Sequence, residues 1–561
     1  MAGPSKMQQQ AQTLNAGIQA FQRGDYAATL SLLSRMRHPT AMNLAAVSAQ
    51  RLGDDEQAER IFKQASRRFP RDAQIANNRG HFERARRQFD TAEQCFRTAL
   101  TVDPTMTQAR LGLAGVMSDQ ERWQEAERAW ADVLDAAPTS RTAQYGRAKA
   151  LLNCGKADEA QSLFRKLHSE QPQAEIAFML GRAAMELNDV DEAFKAFGES
   201  VERNPTGYAF QALAELAWMN GDRETFHTLI DQAPRGVVAT AANLVRQTGD
   251  LEKAEAIWRT LAAGSANAEA WSVGALIARD RGETDALIHR AGRALALSAG
   301  SDAAIDTLIV GNLMRGDVSE ALRHIAERRT AEPLKQHWIA HESIALRLAD
   351  DPGVDHLIRP DDHIRTFRLS PPDGFADMDT FNAALTDAMD QLQTLSARPL
   401  GQSLRGAATQ TIQNLSEINE PTLKAYLSAL DRPIRSYLEA IGDAPDHPLT
   451  ARNTGIYDIC AMWSVRLSGG GWHESHVHPE GWISAVYYAK VPDGTAASPD
   501  KAGWIGFGAP SYPTVPPCDA LRWIAPEAGM LVLFPSFMWH GVNPVNDGAE
   551  RVTIPFDLIP G

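Results

Sequence analysis

Four histidines, His473, His476, His478 and His540, fall in the last fifth of a 561-residue chain. His476 and His478 are two apart, so in an extended strand both imidazoles point to one face of a sheet. His540 follows 62 residues after His478, behind the apolar run Leu531-Val532-Leu533-Phe534, and Arg551 lies eleven residues further on. Two neighbouring ligands on one strand and a third on a distant strand can hold one face of an octahedral metal ion, leaving the opposite positions open. Arg551 begins Arg551-Val552-Thr553-Ile554-Pro555-Phe556, where by itself it reads as a strand-edge salt bridge. Glu480 shares strand parity with His478 and is the alternative third ligand. His473 has opposite parity to His476 in a continuous strand and is expected to be structural or peripheral. Trp463 is expected to pack in the core. Tyr487 and Tyr488 alternate faces; one is expected to line a pocket, and the sequence does not choose between them. Gly469-Gly470-Gly471 is a flexible turn with no helix after it to form a phosphate loop.

These side chains need a rigid frame. From Tyr457 onward the chain is strand-like, and six of its twelve tryptophans lie there. Short runs such as Ile483–Ala489, Met530–Phe534 and Val552–Phe556, separated by turn clusters, predict an antiparallel sandwich or barrel over 457–561. Upstream, 378–394 and 421–441 read as amphipathic helices within a helical region 378–441. That region includes Gln402-Ser403-Leu404-Arg405-Gly406 and Thr409-Gln410-Thr411, expected to pack over the sheet. Asp350-Asp351-Pro352-Gly353 and Leu369–Gly374 punctuate a linker over 346–377.

The first half follows another pattern. Pro70, Pro104, Pro138, Pro172 and Pro205 recur every 33 or 34 residues. Ala58, Ala92, Ala126, Ala160 and Ala193 keep the same spacing, and so do Phe62, Phe96, Trp130, Phe164 and Phe197. Ala and an aromatic four apart share one helix face: the small residue admits a neighbouring helix and the large one fills the gap. Glycines such as Gly53, Gly155, Gly249 and Gly316 supply the positive φ that ends a helix, and proline stops the next one. The columns resemble tetratricopeptide repeats, about ten units over residues 12–345, with Trp258 and Leu322 in the packing positions of later units.

The strand-rich part resembles the bacterial and phage family of 2-oxoglutarate- and Fe(II)-dependent oxygenases. The resemblance rests on His476-x-His478-Pro479, Ser484-Ala485-Val486-Tyr487-Tyr488, Gly529–Ser536, His540 and Arg551-x-Thr553, and covers about residues 380–561, most fully 457–561. It implies a multidomain α + β chain, an all-α solenoid followed by a double-stranded β-helix (jelly-roll) domain with flanking helices. His476 and His540 would then be Fe(II) ligands, with His478 at the position usually held by a carboxylate. Arg551 would pair with the distal carboxylate of the co-substrate 2-oxoglutarate, helped by Thr553 and by Tyr487 or Tyr488. The implied reaction converts 2-oxoglutarate and molecular oxygen to succinate and carbon dioxide while hydroxylating a protein or peptide side chain recruited by the solenoid. A scaffold with a degenerate barrel, and a three-histidine dioxygenase that does not use 2-oxoglutarate, remain alternatives.

Composition bounds the rest. A formal charge of −14 argues against nucleic-acid binding. Residues 351–561 carry 25 Asp and Glu against 14 Lys and Arg, while the preceding 350 are nearly balanced. Four scattered cysteines suit a reducing cytoplasm and exclude a disulfide framework. Met1–Gln10 lacks an apolar core, and no run of about 18 apolar residues occurs, so neither secretion nor membrane spanning is expected.

Overall fold

The computed structural model describes residues 6–262 and 266–561; Met1–Ser5 of the N-terminal stretch discussed above lie outside them. The chain forms two compact units, Met1–Leu187 and Asn188–Gly561, and the division falls inside the helical array.

From Lys6 to Ala262 and from Ala268 to Ala331 the chain runs as helix, short turn, helix. In the first unit Ala58, Ala92, Ala126 and Ala160 are fully buried, as are Phe62, Phe96 and Phe164. The aromatic column works because glycine faces it: a Cβ on Gly80 or Gly112 would stand 2.7 or 2.3 Å from the Phe96 ring, and one on Gly146 would stand 2.4 Å from Trp130. The turn column tolerates other residues. Gly53 and Gly155 have φ of 79° and 73°, and Arg87 and Glu121 take the same left-handed slot at 59°. Helices end at Arg68, Val102, Ala136 and Glu170, each two residues before a proline of the repeat column.

The second unit continues the helices from Val190–Arg203 to Gln336–Leu348. Trp258 fills its expected position, its indole donating to the Ala270 carbonyl at 2.7 Å. In the last repeat Ile325 fills the position four residues after buried Ala321, and Leu322 is only half-buried beside it. The drift moves the packing residue three places along the helix.

Twelve strands follow: β1 (Arg365–Arg368), β2 (Leu404–Arg405), β3 (Ala408–Gln410), β4 (Tyr457–Met462), β5 (Val465–Leu467), β6 (Trp472–His476), β7 (Ile483–Lys490), β8 (Ile505–Phe507), β9 (Arg522–Ile524), β10 (Met530–Pro535), β11 (His540–Val542) and β12 (Arg551–Pro560). They form two antiparallel sheets. One has the order β1-β10-β7-β12-β5-β3 with β4 also on β12; the other is β2-β6-β11-β8-β9. The architecture is therefore a helical solenoid followed by an antiparallel β-rich domain with flanking helices.

Two expectations need correction. The segment Gln402–Thr411 is not helical: helices Met378–Leu392 and Pro421–Ile441 bracket two short strands, β2 and β3. Gly406, at φ 65°, turns the chain between them, where a Cβ would meet the Gly470 carbonyl at 2.5 Å. Residues 346–377 are also more than a linker. Arg365-Thr366-Phe367-Arg368 alternates in burial and adds the edge strand β1 to β10, satisfying backbone groups that β10 would otherwise leave open.

Helices of the second unit meet the β-rich domain by hydrogen bonds, at Met219 and Gln247 through C-terminal carbonyls that have no partner within the helix. Met219 accepts from the Ser396 and Ala397 amides at 3.0 Å, and Gln247 from Arg398 at 2.7 Å. Trp539 donates to Ala340 at 3.1 Å, and Arg347 donates to the Asp519 carbonyl at 2.7 Å. The buried core is continuous across this junction, from Leu313 and Trp338 to Tyr487 and Phe534.

Candidate metal and anion site

β6 and β11 pair so that His540 stands opposite His476, and His478 follows immediately after β6. One ring nitrogen from each of these three histidines lies within 4.8 Å of the others. Each ring is also fixed through its other side. His476 Nδ1–H donates to the Glu474 carbonyl at 2.9 Å, His540 Nδ1–H to the Met538 carbonyl at 3.0 Å, and His478 Nδ1–H to Asp557 Oδ1 at 2.6 Å. Acceptors at Nδ1 set the tautomer and leave the Nε2 lone pairs free to bind a metal. Burial, then the neighbouring His478, pushes His476 down to about 3. Burial, then His476, holds His540 well below the usual imidazole range. Both rings are neutral at physiological pH, the form that coordinates.

The opposite wall comes from β12, where period two is kept without interruption. Arg551, Thr553, Pro555 and Asp557 face a cavity of about 250 Å³ that the three histidines also line. Val552, Ile554, Phe556 and Leu558 are buried on the other side. Asp557, which the sequence reading missed, accepts from His478 and from the Ser484 hydroxyl at 2.7 Å. Its parity with Arg551 and Thr553 was the available signal.

Arg551 is 2% exposed. It donates to the Gly503 carbonyl at 2.9 Å and lies over the Tyr488 ring at 4.8 Å. Among the described residues no carboxylate lies within ion-pair distance of its guanidinium, and its Nε and the Tyr488 hydroxyl are buried without partners. Burying an unpaired cation is expensive, and an anion at this end of the cavity would offset that cost. Tyr487 points elsewhere: it hydrogen-bonds Asn382 and packs on Tyr426 at 5.2 Å. Glu480 is exposed at the rim of the cavity and outside the three-histidine cluster.

His473 is not peripheral. It lines the same cavity, stacks on His476 at 5.7 Å and 19°, and meets the Ser403 hydroxyl at 3.2 Å. The parity argument fails because the β6–β11 ladder is irregular: His476 pairs with His540, but His473 pairs with Val542, so three steps on β6 match two on β11. Gly541 makes this possible, since its missing Cβ would sit 3.0 Å from the Ser475 amide. Trp463 packs against the core as expected and also lines the cavity, half-buried and 5.7 Å from His478.

Comparison with known proteins agrees with both halves. Residues 461–557 match the family described as "Putative 2OG-Fe(II) oxygenase". Tetratricopeptide-repeat families match 83–152, and 43–104, 145–209 and 178–224. The chain carries tetratricopeptide repeats and a C-terminal oxygenase-family domain. A curated relative, the cellulose synthase operon protein C of Xanthomonas axonopodis pv. citri, is 26% identical over 328 residues. That match covers 56% of this chain but only 21% of the relative, so the chain spans about a fifth of its length. Among solved structures, a tetratricopeptide repeat protein from Parabacteroides merdae matches 48% of the chain and 97% of its own, at 14% identity and a TM-score of 0.36. The pilus biogenesis factor PilW matches 35% and 92%, at 18% identity and 0.32.

Proposed function

We propose that this chain is a 2-oxoglutarate- and Fe(II)-dependent dioxygenase that hydroxylates a protein or peptide side chain. The observation that carries this reading is one cavity holding two complementary features: three clustered imidazoles with free nitrogens and a buried guanidinium with no carboxylate. The donor set fits the group. His476, His478 and His540 would hold Fe(II), while Arg551, with Thr553 and the Tyr488 hydroxyl, would take the far carboxylate of 2-oxoglutarate. The facing positions of these residues on two sheets support the double-stranded β-helix arrangement.

Bound Fe(II) with 2-oxoglutarate supplies the oxidising chemistry, in which oxygen and 2-oxoglutarate become succinate and carbon dioxide as the substrate gains a hydroxyl. The protein's part is positional. Asp557 accepts from the His478 ring and fixes its orientation. Phe534 and Val542 dry the cavity wall. Gly503 and Tyr488 hold the Arg551 fork in place before the anion arrives.

Recruitment of a protein or peptide partner is assigned to the tetratricopeptide repeats, a repeat class that presents extended binding surfaces. No helix among the described residues is long and apolar enough to cross a membrane. The test is optical. Adding 2-oxoglutarate to the anaerobic Fe(II) protein should produce a visible absorption band. Full occupancy by Fe(II) with no change on adding 2-oxoglutarate would contradict the proposal and favour a three-histidine dioxygenase of another kind.

A further inference from the structure

A second group of metal-binding side chains lies in the helical part of the second unit, on residues the oxygenase reading does not use. His337 and His341 are one turn apart on helix Gln336–Leu348, so their rings share a face. Asp306 reaches them from helix Asp302–Arg315. Asp306 and His341 are 35 residues apart, about one repeat, so the group joins successive hairpins. The two imidazoles stand edge to face with centroids 5.0 Å apart. Both aim Nε2 at one oxygen, Asp306 Oδ1, at 2.8 Å from His337 and 2.6 Å from His341.

We propose that Asp306, His337 and His341 form a second metal site, selective for a divalent transition ion of the zinc class and completed by water. The donor atoms lie within 4.8 Å of one another. Tetrahedral zinc, with bonds of about 2.0–2.1 Å, needs donors roughly 3.3 Å apart. The contacts of 2.8 and 2.6 Å to Asp306 must therefore open by about 0.5 and about 0.7 Å, shifts within reach of side chains on separate helices. Two imidazoles and one carboxylate suit borderline ions over calcium or magnesium, which prefer oxygen ligands. Access is present: Asp306 and His337 keep 22% and 29% of their side-chain surface, while His341 is anchored at 2%.

The ring of His341 is oriented from behind. Its Nδ1 lies 2.9 Å from the Tyr512 hydroxyl, and Tyr512 and Trp539 flank it at 6.0 and 5.8 Å. Without an ion, His341 donates Nε2–H to Asp306 and accepts the Tyr512 proton at Nδ1. With an ion on Nε2 the ring carries its proton on Nδ1 and donates it to the Tyr512 oxygen. A hydroxyl can donate or accept, so His341 Nδ1 keeps a hydrogen-bond partner in both states. Tyr512 belongs to the loop between β8 and β9, so an ion here also ties the last repeats to the β-rich domain.

The experiment uses the tag-free full chain carrying His476→Ala and His540→Ala, which disables the other histidine cluster. After chelator treatment it is titrated with Co(II) alone. The expected result is one equivalent bound, with a visible d–d band, abolished by adding either His337→Ala or Asp306→Asn. No binding in the double variant, or binding that survives both added substitutions, overturns the proposal. Should the double variant not fold, Zn(II) is counted on the otherwise unaltered protein. The proposal then requires a loss of one equivalent on His337→Ala, and an unchanged count overturns it. Neither readout depends on 2-oxoglutarate, so this site and the oxygenase reading stand or fall separately.

Discussion

Arg551→Met separates a residue that holds a ligand from one that holds the fold. The guanidinium makes one hydrogen bond to the Gly503 carbonyl, stacks over Tyr488 and, among the described residues, has no ion-pair partner. An unpaired buried charge carries a desolvation penalty of several kcal/mol. Methionine keeps most of the volume and removes that penalty, losing about 1–3 kcal/mol of hydrogen bonding to a charged donor. The thermal midpoint of the ligand-free protein should therefore hold or rise. Binding should behave oppositely. Two charge-assisted bonds to the co-substrate, at about 1.5–3 kcal/mol each, amount to about 3–6 kcal/mol, or roughly a 10²- to 10⁴-fold loss of 2-oxoglutarate affinity. Affinity is read by anaerobic titration of the Fe(II) protein, and stability by thermal unfolding of the same sample without ligand. A variant that melts much lower while binding 2-oxoglutarate within twofold of the original would refute the reasoning. Arg551 would then be a structural residue.

Four further outcomes follow from the structure. Asp557→Ala removes the acceptor that orients His478 and should weaken Fe(II) binding by about 10- to 100-fold. Glu480→Ala, at the exposed rim, should change it less than twofold; competition with a coloured chelator measures both. Gly274→Ala places a Cβ 2.3 Å from the Trp258 ring and should destabilise by about 1–3 kcal/mol through overpacking, seen as a lower thermal midpoint. A fragment of residues 350–561 loses the contacts to Met219, Gln247, Ala340 and Arg347. It should be rapidly proteolysed and lack the near-ultraviolet circular dichroism of the full chain.

The repeats were legible because their signal is redundant: alanine, aromatic and proline columns each report one period, and any one suffices to place the helices. The three histidines and Arg551 were legible because period two survives along β12 and just after β6. What escaped was local and irregular. The β-bulge opposite His473 depends on the backbone approach at Gly541, which no side-chain pattern announces. β2 and β3 are two and three residues long, too short to show alternation, and they exist because β6 and β5 offer them edges. β1 was hidden by the prolines and glycines that flank it. Asp557 shares the parity of Arg551, but a carboxylate beside a histidine is recognisable only once the fold brings β12 across from β6. The group at Asp306 combines a one-turn histidine pair with a residue one repeat away, and in sequence it reads as ordinary polar helix surface.

The central claim is that one cavity couples 2-oxoglutarate to oxygen on three histidines. The most direct measurement is succinate formed from 2-oxoglutarate by the full chain with Fe(II) and oxygen, beside the His540→Ala protein at matched folding. The account predicts steady succinate production that requires added iron and falls to background in the variant. Succinate formed equally by both proteins, or by neither when the original protein holds stoichiometric iron, would contradict it.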